Sequence, residues 1–173
     1  DVKEVLDEAR KVVEDSIRRS KELIDEVRKR VEESVEESKR LAETVAEEVR
    51  EVIERARGRD SAEELKRELD RLIEEIKRSN EKLRRDIKKL EDDVRRSDER
   101  LRREIEKIEE LIRRGSDIET VLREVKRLVR ENVKRIAELV KTIEDLVREN
   151  SERVRRVVRE IRELVKELEK KAR

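Results

Sequence analysis

What stands at position i of this chain tends to return at position i + 18, and the echo carries misplaced polar residues along with apolar ones. Leu128-Val129-Arg130-Glu131 returns as Leu146-Val147-Arg148-Glu149 and again as Leu164-Val165-Lys166-Glu167. Ser79-Asn80-Glu81-Lys82-Leu83 returns as Ser97-Asp98-Glu99-Arg100-Leu101. Ser16 and Ser20 recur as Ser34 and Ser38, and Asn132 recurs as Asn150. At about 3.6 residues per turn this period closes on whole turns, so every repeat returns to the same helix face. A seven-residue repeat imposes a left-handed supercoil and an 11-residue repeat a right-handed one; their sum imposes neither. Long, nearly straight helices are the expected result.

Charged residues make up 57% of the 173 residues and apolar residues 33%, a balance that disordered chains also show. Disorder, however, goes with a large net charge and no periodicity, whereas here 50 basic residues offset 49 acidic ones along a strict repeat. A helical protein of one domain fits. With no Cys, there are no disulfides, thiolate nucleophiles or redox sensors, and the compartment stays undetermined. Without His, the commonest metal ligand and the usual near-neutral proton carrier are both missing. No uncharged apolar run approaches the roughly 18 residues of a membrane span, and no signal peptide is seen. The chain starts at Asp1 without Met, which reads as a processed or trimmed terminus.

Gly58 and Gly115 are the only glycines, and they divide the chain into three nearly equal parts. Each follows a basic last turn, Arg55-Ala56-Arg57 or Arg113-Arg114, suited to the negative end of a helix. Each stands where a glycine in the left-handed conformation ends a helix. Start signals follow at once: Ser61 with Glu64 or Asp60 with Glu63, and Ser116 with Glu119, match the capping box. The expectation is all-α, with helices at about 2–57, 61–114 and 117–172. Connections this short reverse the chain, giving an up-down-up antiparallel three-helix bundle.

The apolar stripe of the second helix is narrow, from Leu65 and Leu69 through Leu83 and Ile87 to Ile108 and Ile112. The first and third are broader, with adjacent pairs such as Val12-Val13, Leu23-Ile24 and Val157-Val158. Net charge is −4 over residues 1–57, +1 over 61–114 and +4 over 115–173. The up-down-up order makes the first and third helices parallel neighbours, so an acidic helix lies beside a basic one.

Folding the numbering about the two glycines brings the polar residues of the stripe together. Residue i of the first helix faces about 118 − i on the second, so Ser16 and Ser20 reach the level of Ser97 and Asp98. Ser34 and Ser38 reach Ser79 and Asn80. Folding about Gly115 adds Asn132 to the first set, and Asn150 and Ser151 to the second. Buried hydroxyls and carboxamides are costly unless partnered, so two hydrogen-bonded layers that fix helix register are expected.

Other chemistry finds little support. A serine nucleophile needs a base, and the lysines next to Ser20 and Ser38 point away from them along a helix. Carboxylate clusters such as Glu91-Asp92-Asp93 lack metal-ligand spacing. Basic clusters such as Arg28-Lys29-Arg30 are interleaved with acids and have no aromatics for base stacking. An interfacial membrane helix would want aromatics as well. No enzyme, cofactor, metal, nucleic-acid or membrane function is therefore expected.

Equal helices, glycine-plus-capping-box connections, Glu/Lys/Arg surfaces, an aliphatic core and the two polar layers together resemble de novo designed helical bundles with buried hydrogen-bond networks. The resemblance covers the whole chain and implies a scaffold without evolved activity. Natural three-helix repeats such as spectrin are the nearest biological analogue, but they carry core aromatics that this chain lacks. Both layers can be completed by one chain, so no partner is required and a monomer is expected. The alternative is an interaction module, forming a homo-oligomer or binding a helical partner through the broad faces of helices 1 and 3.

Overall fold

A computed structural model of the protein describes residues 2–55 and 59–171. It is all-α: α1 spans Val2–Arg55, α2 Arg59–Arg113 and α3 Ile118–Lys171. The three long helices pack pairwise as an up-down-up bundle. Between α1 and α2 the chain directions oppose, since Arg10 pairs with Glu109 while Arg28 pairs with Glu91. Between α2 and α3 they oppose again, with Ser97 beside Asn132 and Asn80 beside Asn150. The residue numbers of those α1–α2 pairs add to 119, against the 118 expected from folding the sequence about its first glycine.

The turn after α2 shows why the chain reverses there. Gly115 has φ = +90°, the left-handed region that an L side chain enters only with strain. Its N–H donates to Ile112 O at 3.0 Å, and the Ser116 N–H donates to Leu111 O at 3.2 Å. Those two bonds form the Schellman motif and satisfy carbonyls that the end of α2 would leave bare. A Cβ on Gly115 would meet nothing within 4 Å, so the glycine is required for its φ and not for space.

The start of α3 corrects the expected cap by one residue. Ser116 is occupied closing the Schellman turn, and Asp117 is the residue that caps the helix. The Asp117 carbonyl accepts the Val121 N–H at 3.1 Å, and its carboxylate accepts the Thr120 hydroxyl at 3.2 Å. At the first connection, Gly58 lies outside the described residues. Asp60 and Ser61, the expected caps there, fall inside α2, which has already begun at Arg59.

The fold comprises two compact units, Asp1–Arg28 with Ile87–Glu144, and Lys29–Asp86 with Asp145–Arg173. In the first, Val13 and Ile17 of α1 pack with Leu101 and Ile105 of α2 and with Val125 and Leu128 of α3. A smaller apolar cluster of Ile24, Val94 and Ile136 belongs to the same unit. In the second unit Val45 and Val49 pack with Leu72 and Ile76 and with Val154 and Ile161. Valine and isoleucine are mediocre helix formers, because χ1 is restricted against the preceding turn. Helices this rich in them draw their stability from burying the stripe, each fully buried side chain contributing about 1.5–3 kcal/mol.

Candidate functional site

The strongest departure from an all-apolar interior is a pair of polar layers, one in each unit. In the first unit the layer sits between the two apolar clusters just described. Asn132 is fully buried, and Ser16, Ser20, Ser97 and Asp98 are buried around it. Ser97 Oγ donates to Asn132 Oδ1 at 2.6 Å, while Asn132 Nδ2 donates to Asp98 Oδ1 at 3.1 Å. One α3 carboxamide thus spans two consecutive α2 side chains, using its acceptor on one and a donor on the other.

The second unit holds the same arrangement one sequence period away, with Asn150 in the place of Asn132 and Ser79-Asn80 in that of Ser97-Asp98. Asn150 is fully buried and accepts the Ser79 hydroxyl at 2.5 Å. Its Nδ2 donates to Asn80 Oδ1 at 3.0 Å. Ser38 and Asn80 are buried; Ser34, Ser79 and Ser151 are half-buried. Ser34 and Ser151 bring their hydroxyls to 3.3 Å, joining α1 to α3. Every serine and asparagine expected in these layers is at least half-buried, and α2 and α3 are cross-linked in both.

The α1 serines behave less uniformly. Ser20 and Ser38 each donate to the carbonyl four residues back, Ser16 O at 3.0 Å and Ser34 O at 2.9 Å. That local bond is open to any helical serine and competes with bonds across the bundle. Ser16 Oγ, although buried, has no hydrogen-bond partner among the described residues. The repeat explains why. Ser34, the equivalent of Ser16, finds Ser151, whereas the equivalent of Ser151 is Val133, which is 52% exposed.

Replacing Val133 by serine is therefore expected to supply the missing partner at little cost in burial. A net gain of about 0.5–1.5 kcal/mol is expected from one added hydrogen bond. Urea denaturation of the variant checks it; unchanged or lowered stability would show that Ser16 does not address position 133.

Asp98 is the other point where the layers differ, since Asn80 holds the equivalent place. Burial pushes the Asp98 carboxyl above the ordinary aspartate range. The Asn132 hydrogen bond and the charges of Arg102 and Lys21 oppose that rise without cancelling it. A groove between α1 and α2 leads to this carboxyl, and Asp25, Arg28, Glu91, Arg95 and Glu99 also line it. It carries charges of both signs, and Arg28 is already engaged there, bidentately with Glu91 at 3.0 and 2.8 Å.

Interhelical ion pairs obey the same repeat, which the sequence reading did not anticipate. Arg10–Glu109 recurs as Arg28–Glu91, and Glu14–Arg102 recurs as Glu32–Arg84, one repeat up α1 and one repeat down α2. Folding the numbering about the first glycine places these partners within two residues of level, so the signal was present. The Arg10 guanidinium, hydrogen-bonded to Glu109, holds that carboxyl below the usual glutamate range.

Among the described residues no three His, Cys, Asp or Glu side chains converge as a metal site would require. No helix there is long and apolar enough to cross a membrane. The architecture defines a three-helix bundle with buried side-chain hydrogen bonds. The chain matches no known family model, no curated protein and no solved structure.

Proposed function

We propose that the protein is a designed structural scaffold, a helical bundle whose register is set by two buried polar layers and which carries no evolved chemistry. The observation supporting this most directly is the joining of α2 to α3 in both layers by side chains of a single chain. Ser97–Asn132–Asp98 and Ser79–Asn150–Asn80 each link two helices with no outside group. Buried asparagine is the best-attested device for fixing helix register. A designed origin is supported by the sequence recurrence, which extends to ion pairs and polar layers alike. A catalytic role for the serines is disfavoured, because the protons of Ser79 and Ser97 are held by carboxamide oxygens.

The scaffold reading requires that one chain fold alone. Diluting the protein from low-micromolar to nanomolar concentration is expected to leave its far-ultraviolet helical signal unchanged. Loss of helix on dilution would mean that folding needs a second chain, and would overturn the proposal.

A further inference from the structure

The α1 flank turned away from α2 carries apolar side chains that the bundle does not cover. In the first unit Val12 is 42% exposed, Leu23 36% and Val133, on α3, 52%. Side is fixed by contacts: Arg10 and Glu14 of α1 reach α2, and about 100° per residue places Val12 and Leu23 on the opposite flank. On α3, Asn132 reaches α2, while Val133 is the equivalent of Ser151, whose hydroxyl faces α1. Val12, Leu23 and Val133 therefore border the outer α1–α3 face.

Beyond this strip the two rims carry opposite charge. Exposed Glu8, Glu22 and Glu26 follow it on α1, and exposed Lys126, Arg130 and Lys141 follow it on α3. Within one molecule the apolar strip separates the rims. Two copies related by a twofold axis along the helices would place each acidic α1 rim over the partner's basic α3 rim. A twofold axis across the helices would instead set acid over acid and base over base, which is repulsive.

We infer that the α1–α3 face of the first unit is a self-association surface, taking a second copy of this chain with its helices running the same way. This goes beyond the scaffold reading, which needs one chain only, and its failure would leave that reading standing. The assembly belongs to higher concentration than folding does, because the apolar strip is only part-exposed.

Sedimentation equilibrium from low-micromolar to near-millimolar protein tests the inference. A dimer at the upper end is expected, weakened in about 1 M salt, where the screening length falls to about 3 Å. The triple variants Glu8→Lys/Glu22→Lys/Glu26→Lys and Lys126→Glu/Arg130→Glu/Lys141→Glu should each stay helical and monomeric. Mixed together they should associate again, because each altered rim then meets its opposite. A monomeric mass at all concentrations overturns the inference. So does an association strengthened by salt, which would mark the antiparallel pairing, or one untouched by either variant.

Discussion

Asn150→Leu is expected to destabilise the protein by roughly 1–3 kcal/mol, the cost of stranding buried polar partners. Asn150 is fully buried and serves two neighbours at once, as acceptor for Ser79 and donor to Asn80. Leucine fills similar volume but offers neither function. Removing the whole layer should have the opposite character. Replacing Ser34, Ser38, Ser79, Asn80, Asn150 and Ser151 together by Ala, Leu, Ile or Val strands no member. Exchanging all partners of a buried polar contact for apolar groups is often neutral or stabilising. The multiple variant should melt no lower than the parent, yet show broadened amide spectra as helix register loosens. Denaturant titration of both variants checks the pair, and a gain in stability from Asn150→Leu alone would remove the basis for the layer.

Asp98→Asn is expected to raise the melting temperature at neutral pH and to lose that advantage in acid. The folded-state carboxyl titrates above the unfolded one because burial disfavours its charge. The stabilising contribution of Asp98 is thus fully present below the ordinary aspartate pKa of about 3.9, and fades as pH rises through the higher folded value. Asparagine carries no charge to bury, and Asn80 shows that a carboxamide oxygen can accept from the α3 asparagine in this setting. Melting temperatures of parent and variant from pH 3 to pH 7 (roughly the span over which a raised carboxyl titrates) should diverge toward neutrality. Glu109, lowered by Arg10, has the opposite sign but is common to both proteins and cancels in the difference. Curves that separate in acid and merge at neutral pH would contradict the assignment.

Much of this was legible in the sequence, because repeat and punctuation speak at the length scale of a helix turn. The glycine at position 115 and the basic residues before it located one reversal, and folding the numbering brought Ser97, Asp98 and Asn132 to one level. The cap expected at Ser116 with Glu119 stands one residue early, and Asp117, whose carboxylate holds Thr120, takes its place. The Schellman turn decided between them by taking the Ser116 N–H for Leu111. Nor did level decide which serine bonds across the bundle. Ser20 and Ser38 satisfy themselves on their own helix while Ser34 reaches Ser151, a choice made by rotamer and by ångström-scale reach. The repeated ion pairs were within reach of the same numbering argument, but surface charges that alternate so densely offer many pairings, and only packing selects among them.

A code that repeats this faithfully is also ambiguous, for the same sentence can be read one period out of frame. Were α3 to slide along α2 by one such period, Asn150 would arrive beside Ser97 and Asp98, an address almost identical to its own. Side-chain chemistry alone discriminates weakly against that misreading, since Asp98 and Asn80 both accept from an asparagine. Such a slide displaces α3 by about 27 Å at about 1.5 Å per residue. From Arg113 to Ile118 the chain reaches at most about 18 Å when fully drawn out. The tight reversal at Gly115 therefore excludes the whole-period slip that the polar layers would tolerate: they fix the register within one period, and too little thread remains to start the message a period away.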